Sequence, residues 1–207
     1  RYDLTVPFAK VVGMNPEIRM PFKRYEIGKV YRDGPIKVGR NREFMQCDVD
    51  MAGVKSLMAE AELMMMAVEV YKMLGLDVYI SYNNRKLLSG IIESVCIESE
   101  LISNVILSID KLEKIGRDGV ELELSQLGIA TSKINMLFYY MNMQFDELAA
   151  VFASNQINIC NEYNEHVEQG INELNTLNSY IDGLGIKNIL RFTPNLARGL
   201  EIYTGTV

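Results

Sequence analysis

KRYEIGKVYRDGPIKVGRNREFMQCDVD, Lys23 to Asp50, decides the fold. From Phe22 to Arg32 the residues alternate. Tyr25, Ile27 and Tyr31 point one way, and Arg24, Glu26, Gly28 and Arg32 the other. From Arg42 to Asp50 the alternation repeats, with Met45, Cys47 and Val49 on one face and Arg42, Gln46, Asp48 and Asp50 on the other. A period of two with one apolar and one polar side predicts two strands of a half-covered antiparallel sheet. Gly34, Pro35 and Gly39 mark the loop between them as a turn region, and Lys37 and Arg40 make it basic. Residues 19–42 hold eight Lys/Arg against two Asp/Glu, a local charge of +6 on a chain whose total is −6. A cationic hairpin on an acidic protein suggests an anion site, most simply for phosphate. Pattern alone leaves a plain solvated basic hairpin equally open.

Two further stretches bear on this, RYDLTVPFAK at residues 1–10 and LARGLEIYTG at Leu196–Gly205. With these, the hairpin resembles motif 2 of the class II aminoacyl-tRNA synthetases, and in detail that of the histidyl-tRNA synthetases. The first stretch resembles that family's histidine-binding segment and the second its histidine-specific motif. Three motifs in order span nearly the whole chain. The implied fold is α+β: a class II synthetase-type antiparallel sheet flanked by helices, with an all-helical insertion. The implied layout is 1–84 as the first part of the catalytic core with motif 2, 85–160 as the insertion, and 161–207 as the second part. Motif 1, motif 3 and the anticodon-binding domain have no counterpart in the sequence. The stretch is therefore expected to be a piece of a longer catalytic chain with little activity by itself.

The resemblance assigns roles residue by residue. Arg32 and Arg198 are the expected catalytic arginines, both directed at the α-phosphate of ATP, and Arg40 and Arg42 are expected to help bind ATP. Asp3, Thr5 and Gln46 are expected around the α-ammonium of histidine. Asp50 and Tyr203 are expected at the imidazole, with Glu201 supporting that segment. Arg suits the phosphate role because its planar fork holds two oxygens and stays charged. Asp3 by itself reads as a helix cap. Three departures stand out. Asp3 replaces a common Glu, Ile202 a common Tyr, and Gly34 a Glu that often contacts adenine, which leaves that contact to other groups such as backbone. The implied reaction is activation of histidine with ATP and transfer to tRNA(His), in a cytoplasmic homodimer, with Mg2+ carried by ATP and no protein-held metal. Two rivals remain: the histidine-binding regulatory subunit of ATP phosphoribosyltransferase, which shares the fold, and a synthetase-like regulatory module of a larger protein, in which the motifs are often eroded. Intact Arg32 and Arg198 favour the ligase.

The rest of the chain reads as ordinary core. At 207 residues with 48% hydrophobic content, it can bury one core and a small second one. No run approaches a membrane span. Leu57, Ala61, Met64, Val68 and Tyr71 form a helical stripe, so Met64–Met66 read as core filling. Asp77–Tyr82 and Asn188–Phe192 read as strands. Between them lie short acidic helices, which in the family approach the tRNA acceptor arm, although the acidity here argues against a strong phosphate grip. Asn161–Leu184 is a long helix with Tyr163, Val167, Leu174, Leu177 and Ile181 along one stripe and His166 at the surface. Cys47, Cys96 and Cys160 are widely spaced and read as reduced thiols.

Overall fold

Alternation at Phe22–Tyr31 (β1) and Glu43–Ala52 (β2) does produce an antiparallel hairpin, with Arg24 opposite Asp50, Glu26 opposite Asp48, and Gly28 opposite Gln46. The computed structural model describes residues 1–154, 164–199 and 203–207. It contains two compact units, Arg1–Ala59 and Glu60–Val207.

In the first unit the covered face of the hairpin is the polar one. Tyr25, Ile27 and Met45 are 76%, 61% and 58% exposed, whereas Val30 and Leu4 are fully buried. The reason lies in the first residues. Helix α1 (Thr5–Met14) and the segment before it lie against the polar face. Arg24 donates to the Leu4 carbonyl at 2.7 Å and its guanidinium sits 4.3 Å from the Phe8 ring centre, while Phe8 stacks on Phe22. The Arg1 carbonyl accepts from the Tyr31 amide at 2.9 Å, continuing the ladder. A Cβ on Gly28 would lie 2.5 Å from the Arg1 guanidinium, so glycine lets Arg1 lie close across the strand there. Glu26 and Asp48 face each other directly, an unfavourable like-charge pair. Arg1 and Arg24 offset it by pairing with Glu26.

The second unit is mostly helical. Helix α2 (Met58–Met73) buries Ala61 and Val68, and Met64 packs on the core, but Met65 is exposed and Tyr71 faces solvent. Strands β3 (Ile80–Tyr82) and β4 (Leu190–Phe192) pair parallel, a short two-stranded contact. Both strands were expected and both are shorter than their apolar runs, since residues 187–189 form a 3-10 turn. Five helices follow β3: α3 (Arg85–Ser94), α4 (Ile102–Ile109), α5 (Leu112–Gln126), α6 (Thr131–Met141) and α7 (Phe145–Ala153). Gly116, at φ +70, breaks α5 after its first turn. Helix α8 (Glu165–Leu184) buries Val167, Leu174, Leu177 and Ile181, the expected stripe, while Tyr163 lies outside the described residues. Asn164 caps α8, and Gly185 closes it in the left-handed conformation. His166 is at the surface, 2.9 Å from Glu93. Cys47 is free and exposed, but Cys96 is disulfide-bonded, so the expectation of three reduced thiols fails there.

The unit is centred on the α3–α8 contact. The helices run antiparallel and touch through glycine. A Cβ on Gly170 would stand 2.5 Å from the Leu87 amide nitrogen, and one on Gly90 would stand 2.6 Å from the Val167 nitrogen. Asn164 ties the same crossing by donating to the Gly90 carbonyl at 2.9 Å. Backbone, not a flexible side chain, blocks any enlargement. Gly170→Ala is therefore expected to destabilise by about 1–3 kcal/mol through overpacking. Gly183→Ala on the same helix meets nothing within 4 Å. It is expected to stabilise by about 0.5–1 kcal/mol through helix propensity. Urea midpoints of the two variants check the opposite signs.

Candidate active site

The first unit assembles most of the expected residues along one strand face and its loop. Arg32 emerges at the end of β1. Its guanidinium donates to Gln46 Oε1 at 3.1 Å and to the Tyr2 carbonyl at 3.3 Å, and lies between the Tyr2 and Phe44 rings at 5.0 and 5.2 Å. Gln46 in turn donates to both Asp48 oxygens at 2.8 and 2.9 Å. The fork of Arg32 is thus oriented before any ligand arrives.

Beside Arg32 opens a cleft of about 340 Å³, lined by Asp33, Gly34, Arg40, Arg42 and Phe44 among others. Its arginines differ in availability. Arg42 Nε donates to the Gly34 carbonyl at 3.1 Å and lies 3.8 Å from Asp33, so it braces the loop. Asp33 accepts from the Gly34 amide at 2.9 Å. Lys37 and Arg40 exchange backbone hydrogen bonds across the turn at Gly39, whose φ is +73. The Arg40 side chain has no hydrogen bond or ion pair among the described residues and is exposed. The loop therefore offers a free cation above a fixed one.

Further along the face, Arg24 Nη2 lies 2.8 Å from Asp50 Oδ2. That oxygen is buried against the Arg24 guanidinium, while Arg24 Nε is buried with no hydrogen-bond partner among the described residues. The charges are matched, but the hydrogen-bonding capacity is not used up. Burial pushes the Asp50 carboxyl above its ordinary value; Arg24 opposes the shift and nearby Asp48 and Glu26 add to it. Asp3 caps α1 by accepting from the Val6 amide at 3.1 Å, as its sequence position alone allowed. Thr5 is the first residue of α1 and is exposed. Arg24 links Asp50 to this segment through the Leu4 carbonyl. Sequence reasoning missed Arg24 as a site residue, although its register opposite Asp50 was a usable signal.

In the second unit, Arg198 donates to the Tyr203 hydroxyl at 3.1 Å and lies 5.0 Å from that ring's centre. Two expected residues are thereby brought together, while Glu201 lies outside the described residues. Arg198 also borders a cleft of about 290 Å³ with Ser81, Asp110, Lys114 and Thr193. Asn83 and Arg85, which sequence reasoning passed over, hold the chain on either side of Arg198. Among the described residues, no group of three or more His, Cys, Asp or Glu could hold a metal ion, and no helix is long and apolar enough to cross a membrane.

Comparison with known proteins agrees with the motif geometry. The family model described as Histidyl-tRNA synthetase matches residues 1–207. The chain is 54% identical over 211 residues to Histidine--tRNA ligase 1 of Bacillus cereus, covering 100% of this chain and 47% of that one. It is 50% identical to Histidine--tRNA ligase 2 of Shouchella clausii, covering 100% and 48%. The chain thus spans about half the length of the curated relatives it matches. The crystal structure of histidyl-tRNA synthetase from Nostoc sp. PCC 7120 superposes with a TM-score of 0.86 at 30% identity, over 100% of this chain and 48% of that one. A structure titled as an ATP phosphoribosyltransferase regulatory subunit/histidyl-tRNA synthetase from Bacillus halodurans has a TM-score of 0.81 over 100% of this chain and 52% of that one. At 16% identity it shares the fold alone. With a family match from end to end and relatives at half identity, the chain belongs to the histidyl-tRNA synthetase family.

Proposed function

We propose that this chain carries the amino-acid-activating site of a histidine–tRNA ligase, which joins histidine to ATP as histidyl-adenylate and passes it to tRNA(His). The observation that carries this reading is the prearranged series Arg32–Gln46–Asp48 beside the Arg24–Asp50 pair. In this reading the substrate carboxylate attacks the α-phosphorus and pyrophosphate leaves. Negative charge rises on the non-bridging oxygens. Arg32 and Arg198 stabilise that charge more in the transition state than in the ground state. Arg40 and Arg42 take the outer phosphates, and Mg2+ enters with ATP as part of the substrate. Asp3, Thr5 and Gln46 receive the α-ammonium. Asp50 and Tyr203 meet the imidazole, and Glu201 supports that segment. A ligand without a ring N–H would forfeit its hydrogen bond to the Asp50 carboxylate, a source of discrimination. Homodimer formation and a cytoplasmic location belong to the same proposal for the whole protein.

The regulatory reading is weaker, because a protein that only senses histidine has no use for two arginines on a phosphate. Histidine-dependent ATP–pyrophosphate exchange, measured on the gene product, separates the two. Exchange that needs histidine and falls about 10²–10³-fold in Arg198→Ala is expected. Histidine binding without exchange in the unaltered protein would favour the regulator instead.

The charge of Asp50 carries a second expectation. Its carboxyl is raised above the ordinary 3.8, chiefly by burial. The folded state therefore holds that proton more tightly than the unfolded chain. The resulting stability is present in full below the ordinary value and is lost as pH rises through the raised one. Asp50→Asn removes this dependence. As pH rises above the ordinary carboxyl value of 3.8, the unaltered protein should lose stability relative to Asp50→Asn, read from urea midpoints. Parallel pH profiles would show that the carboxylate is not strained by its burial.

A further inference from the structure

Residues 83–85, Asn-Asn-Arg, join the end of β3 to the start of α3 and contact both arms of the segment that bears Arg198 and Tyr203. Asn83 is 1% exposed. Its Nδ2 donates to the Pro194 carbonyl at 2.8 Å and to the Leu196 carbonyl at 2.9 Å. Its backbone exchanges two 3.0 Å hydrogen bonds with Val207. Arg85 Nη1 donates to the Arg198 carbonyl at 2.7 Å, and its amide donates to the Gly205 carbonyl at 2.8 Å. Between them Asn84 points away. It caps α3 by accepting from Lys86 and Leu87 and donates to Glu173 on α8. Lys86 also pairs with Glu173, so the start of α3 is fastened to α8.

The chemistry of this arrangement is selective. Two carbonyls converge on one amide group, which can only be a double donor. Asn83 Oδ1 is left buried with no partner among the described residues. An unmatched buried acceptor is costly, and the contact to the two carbonyls must outweigh it. Arg85 then grips the Arg198 carbonyl itself, two residues beyond the Leu196 carbonyl held by Asn83. Opposite, a Cβ at position 199 would come within 2.8 Å of the tip of the Leu107 side chain of α4.

We propose that Asn83 and Arg85 are positioning residues for catalysis: they clasp the carbonyls of residues 194–198 and so fix where the Arg198 guanidinium stands. This rests on the activating role of Arg198 given above. Neither residue contacts a reacting atom. Their effect passes through the backbone of the segment, and a misplacement of about 1 Å is enough to cost on the order of 10²-fold in rate.

The test uses Arg85→Met, Arg85→Lys and Asn83→Ala in the gene product, each alone and Arg85→Met also with Arg198→Ala. Histidine-dependent exchange is measured together with amide hydrogen exchange of residues 193–199. Arg85→Met should lower kcat by roughly 10–100-fold while the KM for histidine stays within about twofold. Arg85→Lys should recover most of the loss. In the Arg198→Ala background Arg85→Met should cost nothing further, because the group it positions is gone. Amides 193–199 should exchange about tenfold faster or more in Arg85→Met and Asn83→Ala, with α8 unchanged. Additive losses with Arg198→Ala would overturn the positioning role, as would unchanged amide exchange in Arg85→Met. If the unaltered protein shows no histidine-dependent exchange, the proposed activity fails, and amide exchange in Arg85→Met alone decides whether the clasp holds.

Discussion

Two helix backbones approach too closely for any side chain at Gly90 and Gly170, and the second unit depends on that approach. It seats α3 against α8, and the seat fixes the register of α3 along its axis. The first turn of α3 is capped by Asn84, which is also joined to α8 through Glu173. The residues on either side of that cap reach the segment around Arg198. A packing constraint between two helices is therefore transmitted, in a few covalent steps, to the placement of a guanidinium. Burial supplies the driving force, since Leu87, Leu88, Ile91 and Ile92 are all removed from water along the same helix.

The first unit is organised by electrostatics more than by burial. Its hairpin turns its charged face toward the N-terminal segment and leaves Tyr25, Ile27 and Met45 exposed. Such a face can be covered because its charges are matched locally. Arg24 answers Asp50 and Glu26, and Arg1 answers Glu26 again. Half-burial strengthens these contacts by lowering the local dielectric. The same half-burial raises the Asp50 carboxyl above its ordinary value.

The sequence made the hairpin legible because period-two alternation is local, and β1 and β2 form within a residue or two of the alternating runs. Helix α8 was legible for the same reason, from its 3.6-residue stripe and its glycine stop. What alternation could not show was which face is covered. That is decided by residues 1–14 lying on the polar side, a long-range event with no local signature. Arg32, Gln46 and Asp50 were readable as a set because they share strand parity, and Arg198 and Tyr203 because a motif places them five residues apart. Asn83 and Arg85 were not, since their partners are main-chain carbonyls more than a hundred residues away. Any residue has a carbonyl, so nothing in the composition of residues 194–198 reveals that they are held. The disulfide at Cys96 was missed because spacing along the chain does not report distance in space.

The division of cations on the hairpin has a consequence for how the cleft responds to ionic strength. Lys37 and Arg40 stand in solvent on a turn, and their attraction for an anion is screened over a Debye length of about 8–10 Å. Arg24 and Arg32 sit among rings and carbonyls, where counter-ions penetrate poorly. On the proposed reading, added salt would weaken the long-range capture of a phosphate while leaving the geometry of the floor unchanged. Encounter and discrimination would then fall to different arginines of one hairpin, and the solvent could tune the first without disturbing the second.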